Sequence, residues 1–237
     1  MSLFPAGKVA TTADLVVGGY EPFSTVDWPG KLVATVFLQG CPWRCTYCHN
    51  PALQDPQAPG AVTWESIEAH LAERRGQLDG VVFSGGEPTR QDALIPAMVA
   101  VRERGLGVGL HSAGCYPVRL ATMLEHVDWL GLDIKMTRQE YGAVTGVGSS
   151  GERAWASLRV AMAWGGDLEV RLTVDPTVHD RTDVLRTIAE LEARGAPRPV
   201  IQQARATGAT PEFAAALRGR TLFDVVQPED VEGLLIR

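Results

Sequence analysis

The chain has 237 residues, 45% of them hydrophobic and 21% charged, with a net charge of −6 and a pI near 5.4. No basic run stands out, which argues against duplex nucleic acid or an anionic membrane surface as the main partner. No apolar run approaches the ~20 residues of a membrane span, and the N-terminus MSLFPAGKVATTADL lacks the charged and apolar regions of a secretory signal. A cytoplasmic location is expected, where thiols stay reduced and clustered cysteines serve metal or redox chemistry.

In chain order, residues 14–30 are expected to add an edge strand and a turn at Trp28-Pro29-Gly30-Lys31, with Pro and Gly at the central positions. A strand is expected over 32–38, and a helix over 63–75 with capping chemistry at Thr63, Glu65 and Ser66. Strands at 80–84, 107–111, 129–135, 169–175 and 199–203 then alternate with helices at 91–104, 117–125, 152–164, 182–194 and 211–217. Gly105 and Gly195 stand where a helix-terminating glycine belongs. Residues 145–152 read as a flexible loop, and a further strand is expected at 222–226. Repeated β-α units with helical crossovers predict an α/β fold around a parallel sheet, open or curled into a barrel. No linker or repeat divides the chain, so one domain is expected over 1–237, with an N-terminal extension 1–30, a core of about 31–205 and a tail 206–237.

The stretch FLQGCPWRCTYCHNP places Cys41, Cys45 and Cys48 directly after the first parallel strand. Sites in parallel α/β folds lie at the C-terminal ends of strands. Three readings compete. Structural zinc needs a fourth ligand, and His49, adjacent to Cys48, is poorly placed to share one tetrahedral ion with it. A thiol–disulfide centre needs only two cysteines. An iron–sulfur cluster held by three thiolates leaves one iron open to a small chelating molecule. At the end of the next strand lies VVFSGGEPT, where Gly85 and Gly86 leave backbone groups uncovered and Glu87-Pro88 fixes the exit. Alone, this reads as a turn; beside the cysteine strand it faces the same rim.

These residues, Cys41, Cys45 and Cys48 with Tyr47 before the last and Gly85-Gly86-Glu87-Pro88, resemble the radical S-adenosylmethionine (SAM) superfamily. The longer stretch FSTVDWPGKLVATVFLQGCPWRCTYCHNP is similar to the activating proteins of anaerobic ribonucleoside-triphosphate reductase, a group of glycyl-radical enzyme activases. The resemblance implies a partial (β/α) barrel of about six parallel strands. It implies a 4Fe–4S cluster on Cys41, Cys45 and Cys48 whose open iron is chelated by the amino and carboxylate groups of SAM. One electron then breaks the sulfonium's carbon–sulfur bond, and the resulting 5′-deoxyadenosyl radical takes a hydrogen from the substrate. The cofactor carries the hard chemistry, while the protein orients it and excludes water.

The resemblance also assigns roles around the rim. Asp133 and Lys135 share one strand face, and Asp-x-Lys on this strand is similar to a SAM-holding motif of the activases; a local charge pair is the plain alternative. Arg171, Thr173 and Asp175 share a face of a later strand. Arg171 is expected either to steady the SAM carboxylate or a partner's acidic group, or to form an interior ion pair. Gln203 is a candidate contact for ribose or adenine. In the sequence LHSAG, relatives often carry an acid followed by Thr-Asn-Gly; here Ser112 remains a candidate hydrogen-bond partner of SAM. His111 either replaces the acid or is a neutral, satisfied histidine. Tyr47, Gly85, Gly86 and Glu87 complete the expected SAM contacts. His49 is read as a loop-ordering residue that shields the cluster, Cys115 as a packing residue, and His70, His126 and His179 carry no signal.

With one cysteine left over, no second cluster is possible. The small barrel is expected to leave its side open, which suits a loop of another protein. The expected reaction is therefore removal of a glycine α-hydrogen on a glycyl-radical enzyme, with the large subunit of anaerobic ribonucleotide reductase as partner and reduced flavodoxin or ferredoxin as electron donor. The alternatives are a radical SAM enzyme acting on a small molecule, like the enzymes that build 7-deazaguanine, and a zinc-binding interaction module.

Overall fold

The computed structural model describes residues 9–237; the first eight, part of the expected N-terminal extension and of the stretch read for a secretory signal, lie outside the described residues. Seven strands form one sheet in sequence order: β1 (Val17–Ser24), β2 (Val33–Leu38), β3 (Gly80–Gly85), β4 (Gly107–Ser112), β5 (Trp129–Asp133), β6 (Asp167–Val174) and β7 (Val200–Gln203). β1 is an antiparallel edge strand on β2, and the six strands β2 to β7 run parallel. Among the described residues there are seven α-helices: α1 (Trp64–Glu73), α2 (Leu94–Glu103), α3 (Pro117–Met123), α4 (Gly142–Thr145), α5 (Ser150–Trp164), α6 (Arg181–Ala193) and α7 (Pro211–Leu217). The expected partial barrel of about six parallel strands is the fold observed.

Local chemistry sets the boundaries. Thr63 caps α1 by accepting from the Ser66 amide, and Asp180 and Asp183 form a reciprocal capping box on α6. α2 begins at Leu94 rather than at Gln91. Pro96 has no amide hydrogen and is tolerated only in a first turn, while the buried Gln91 side chain instead bonds both backbone groups of Val16 and the carbonyl of Gln39. The strand expected at 222–226 is absent. Thr221 and Asp224 form a capping box over a short 3-10 turn, Leu222–Asp224. Leu222 and Val226 are buried against Leu172, Val174 and Ile201 of the sheet and Val184 and Ile188 of α6. The apolar run reflects that burial, and the β7 edge is met by Ile236, which bridges to Ile201.

Alternation along the parallel strands divides the protein into two layers. Ala34, Val36, Leu38, Val81, Phe83, Val108, Leu110, Leu130 and Leu132 are fully buried and belong to the main core. Val33, Val82 and Trp129 form a separate cluster with Trp28 on the other, concave face. Trp28 reaches it because residues 28–31 make the expected turn, closed by the Lys31 amide on the Trp28 carbonyl at 3.1 Å, with Gly30 at φ 72°. Its indole stacks on Trp129 with centroids 5.6 Å apart. It lies on glycines: a Cβ on Gly109 would be 2.9 Å from the ring. The bottom of the barrel is therefore plugged, and its free volume is confined to the rim where the parallel strands end.

Replacing Trp28 with Ala empties this plug and should cost about 3–5 kcal/mol, read as a lower midpoint in urea unfolding.

Candidate active site at the strand ends

The cysteine loop leaves β2 at Gly40, and its backbone is tied down at both ends. The Gly40 and Cys41 amides donate to the carbonyls of Leu53 and Gln54, and the Arg44 and Thr46 amides donate to those of Thr145 and Val144 in α4. β3 ends directly beneath the loop. The Gly86 amide donates to Leu38 O and the Glu87 amide to Gly40 O, both at 2.9 Å. That approach needs glycine: a Cβ on Gly85, whose φ is 113°, would lie 2.3 Å from the Leu38 amide, and one on Gly86 2.5 Å from Gly40 O.

Cys41, Cys45 and Cys48 are free, partly exposed, and line one cavity of about 260 Å³ together with Gly85, Gly86, Ser112, Asp133, Lys135, Arg171 and Gln203. Tyr47 lines it too, although it is 5% exposed. Glu87 does not. Its buried carboxylate accepts from the amide and hydroxyl of Thr89, from the Ser112 hydroxyl at 2.9 Å and from the Ala113 amide at 3.0 Å. It thus ties the end of β3 to the end of β4 from behind the cavity wall.

Beyond the end of β5, Lys135 is buried and donates to Asp133 at 2.8 Å and to the Tyr47 hydroxyl at 3.2 Å. Burial alone would push its ammonium down, but Asp133, Tyr47 and Cys45 hold it well above the ordinary lysine value. Burial likewise opposes ionisation of Asp133, yet Lys135 and Arg171 hold its carboxyl below the usual range. Burial pushes the Cys45 thiol up to about 11, against the pull of Lys135. Cys41 moves the other way because Cys115 hydrogen-bonds to it. Cys115 itself is buried in the main core.

Arg171 bonds Glu169 at 2.8 Å and stacks on Trp129 at 5.1 Å, in space that a Gly131 Cβ would fill at 2.8 Å from the guanidinium. Glu169 also takes Arg237 at 3.0 Å, so Arg171 is part of an interior ion pair and still borders the cavity. His111 Nε2 lies 2.7 Å from the Asp27 carbonyl and 3.1 Å from the Arg171 guanidinium, and Nδ1 lies 3.2 Å from the Ser84 hydroxyl. Burial and the nearby Arg171 push its pKa down to about 4. The ring is therefore neutral, and it also borders the cavity. Gln203 bounds the cavity while its side-chain Oε1 accepts from the Leu222 amide. His49 Nε2 accepts from the Arg205 amide, consistent with a loop-ordering role. Sequence reasoning missed Arg205 and Arg237 as cavity residues. Arg237 arrives only through the pairing of Ile236 with Ile201, which has no local signal.

A three-thiol rim, a Gly-Gly shelf and a buried lysine paired with a partly exposed aspartate on one cavity make a specific combination. The sequence profile of the Radical SAM superfamily matches residues 35–189. The chain belongs to the radical SAM superfamily. This radical SAM enzyme is 31% identical over 177 residues to the pyruvate formate-lyase-activating enzyme of Clostridium pasteurianum, covering 72% of this chain and 73% of that one. It is 28% identical over 179 residues to a protein of Methanocaldococcus jannaschii described by similarity as a glycyl-radical enzyme activating enzyme, covering 71% and 72%. Among solved structures, SuiB of Streptococcus suis bound to S-adenosylmethionine matches in fold at a TM-score of 0.53 and 14% identity, over 73% of this chain and 41% of SuiB. The chain thus spans about two fifths of SuiB's length.

Radical SAM enzymes use a 4Fe–4S cluster and SAM, and the donor set here fits them. Among the described residues, no three His, Cys, Asp or Glu side chains converge on a point that would hold a single metal ion. Three thiols spaced along one rim suit the separate corners of a cluster. No helix among the described residues is long and apolar enough to cross a membrane.

The histidine supplies a pH test. His111 titrates at about 4 in the folded chain against an ordinary 6.5. The unfolded chain takes up the proton first, so stability should fall as pH drops below about 6.5 and level off near 4. A loss on the order of 2 kcal/mol is expected in urea unfolding between pH 7 and pH 4.5, and a smaller one in His111→Gln.

Proposed function

We propose that this chain is a cytoplasmic, single-domain glycyl-radical enzyme activating enzyme whose partner is the large subunit of anaerobic ribonucleoside-triphosphate reductase, with reduced flavodoxin or ferredoxin as electron donor. Cys41, Cys45 and Cys48 hold the cluster. Gly85, Gly86, Ser112, Asp133, Lys135, Arg171 and Gln203 border the SAM site, with Tyr47 steadying Lys135 and Glu87 bracing the wall. Bound there, the cluster and SAM supply the 5′-deoxyadenosyl radical that removes a glycine α-hydrogen from the partner. The chain's own residues shape where that radical meets its substrate.

The observation that carries this reading is the plugged barrel. Trp28, Val33, Val82 and Trp129 fill the concave face, and Arg171 and His111 both contact Trp129. What remains is an open cavity of about 260 Å³ at the rim. It leaves little enclosed space for a second small substrate beside SAM, and favours a backbone segment presented from outside. A glycine α-carbon, with no side chain in the way, is the atom best able to reach such a rim. The names of the relatives support the activase class. The Pro-Gly turn and the Cys-His-Asn-Pro exit support the reductase as partner. Pyruvate formate-lyase is the second reading, because it is the target named for the Clostridium pasteurianum relative.

The test is EPR of the anaerobically reduced chain with SAM and each partner. A glycyl doublet on the reductase large subunit is expected. A doublet on pyruvate formate-lyase alone would reassign the partner. SAM turnover into a small-molecule product, with a doublet on neither, would overturn the activase reading.

A further inference from the structure

Two buried groups at the strand ends are used by none of the roles above. Asp175 follows β6 and is fully buried, and no ion pair is formed at it among the described residues. Burying a carboxylate without a cation is costly unless strong donors surround it. Here Oδ2 accepts from the Thr46 hydroxyl at 2.5 Å, and Oδ1 accepts from the amide and hydroxyl of Thr177 at 2.8 and 2.7 Å. The Asp175 amide donates to His179 Nδ1 at 3.0 Å. Since Nδ1 accepts, Nε2 carries the hydrogen, and it donates to the Lys135 carbonyl at 2.8 Å. The Lys135 ammonium returns to the Tyr47 hydroxyl, and Tyr47 is the neighbour of Thr46.

The contacts close a ring: Thr46, Asp175, His179, Lys135, Tyr47. It joins the segment between Cys45 and Cys48 to the lysine on the far wall of the cavity. The trace of that segment does not need it, because the Arg44 and Thr46 amides are already held by α4. What the ring adds is side-chain register: it fixes how the loop carrying Cys45 and Cys48 faces Lys135.

We propose that Asp175 and His179 are positioning residues that hold the thiol loop and Lys135 as one unit, so that loading of the cluster and docking of SAM reinforce each other. This rests on the reading of Cys45 and Cys48 as cluster ligands and of Lys135 as part of the SAM site. Outer hydrogen bonds of this kind orient ligands, and their loss typically costs 10–100-fold in affinity or activity.

The experiment compares Thr46→Val, Thr46→Ser, Asp175→Asn and Thr177→Val in the cluster-loaded chain. It reads iron content, thermal melting, the Kd of SAM, and the change that SAM makes in the EPR spectrum of the reduced cluster. Thr46→Val and Asp175→Asn should raise the Kd of SAM at least about 10-fold and blunt the spectral response. Thr46→Ser keeps the hydroxyl and should restore most of the affinity. Thr177→Val leaves the loop contact intact and should bind SAM like the native chain. Native SAM affinity and spectra in both Thr46→Val and Asp175→Asn would overturn the proposal, as would equal weakening in Thr177→Val. Failure of the native chain to bind iron or SAM at all would instead defeat the underlying reading.

Discussion

The site depends on how closely two backbones can lie. The end of β3 slides under the start of the cysteine loop, with the Gly86 and Glu87 amides bonded to Leu38 and Gly40. Any side chain at Gly85 or Gly86 would collide with that backbone. The contact does two things together. It fixes the height at which Cys41 leaves the sheet, and it keeps the shelf beside the thiols bare of side chains. Glu87 then braces β3 against β4 through Ser112 and Ala113, so three neighbouring strand ends form one wall.

Electrostatics follow from the same crowding. A buried ammonium is stable only when anions and dipoles surround it, and Lys135 finds them in Asp133, Tyr47 and the Cys45 thiol. Arg171 and Arg237 share Glu169, which leaves a positive excess beside the thiols. The thiol rim is therefore faced by cations across the cavity, within a chain whose net charge is −6. His111 stays neutral in this setting because burial and Arg171 both oppose its protonation. Below this layer Trp28 and Trp129 close the barrel, so the polar groups are held at the rim.

Much of this was legible in the sequence where the signal was local. Short apolar runs ending in glycine or polar residues marked the parallel strands. Pro29 and Gly30 marked the turn that delivers Trp28, and the cysteine spacing with Gly-Gly-Glu-Pro marked the rim. Local signals also competed. Leu222 and Val226 looked like strand residues, but the Thr221–Asp224 box and burial against α6 decided otherwise. The motif places Glu87 among the expected cofactor contacts, whereas its carboxylate oxygens accept from Thr89, Ser112 and Ala113. Long-range pairings left no trace. Nothing near Asp175 or His179 announces Thr46, which is 129 residues before Asp175, and nothing near Arg237 announces Glu169.

In the proposed function, Cys41, Cys45 and Cys48 hold three corners of a cluster and the remaining corner is left to SAM. Mössbauer spectroscopy of the anaerobic chain loaded with ⁵⁷Fe tests it most directly. A cubane in which a single iron changes its isomer shift when SAM is added is expected. A spectrum without a cubane, or one in which every iron is indifferent to SAM, would contradict it.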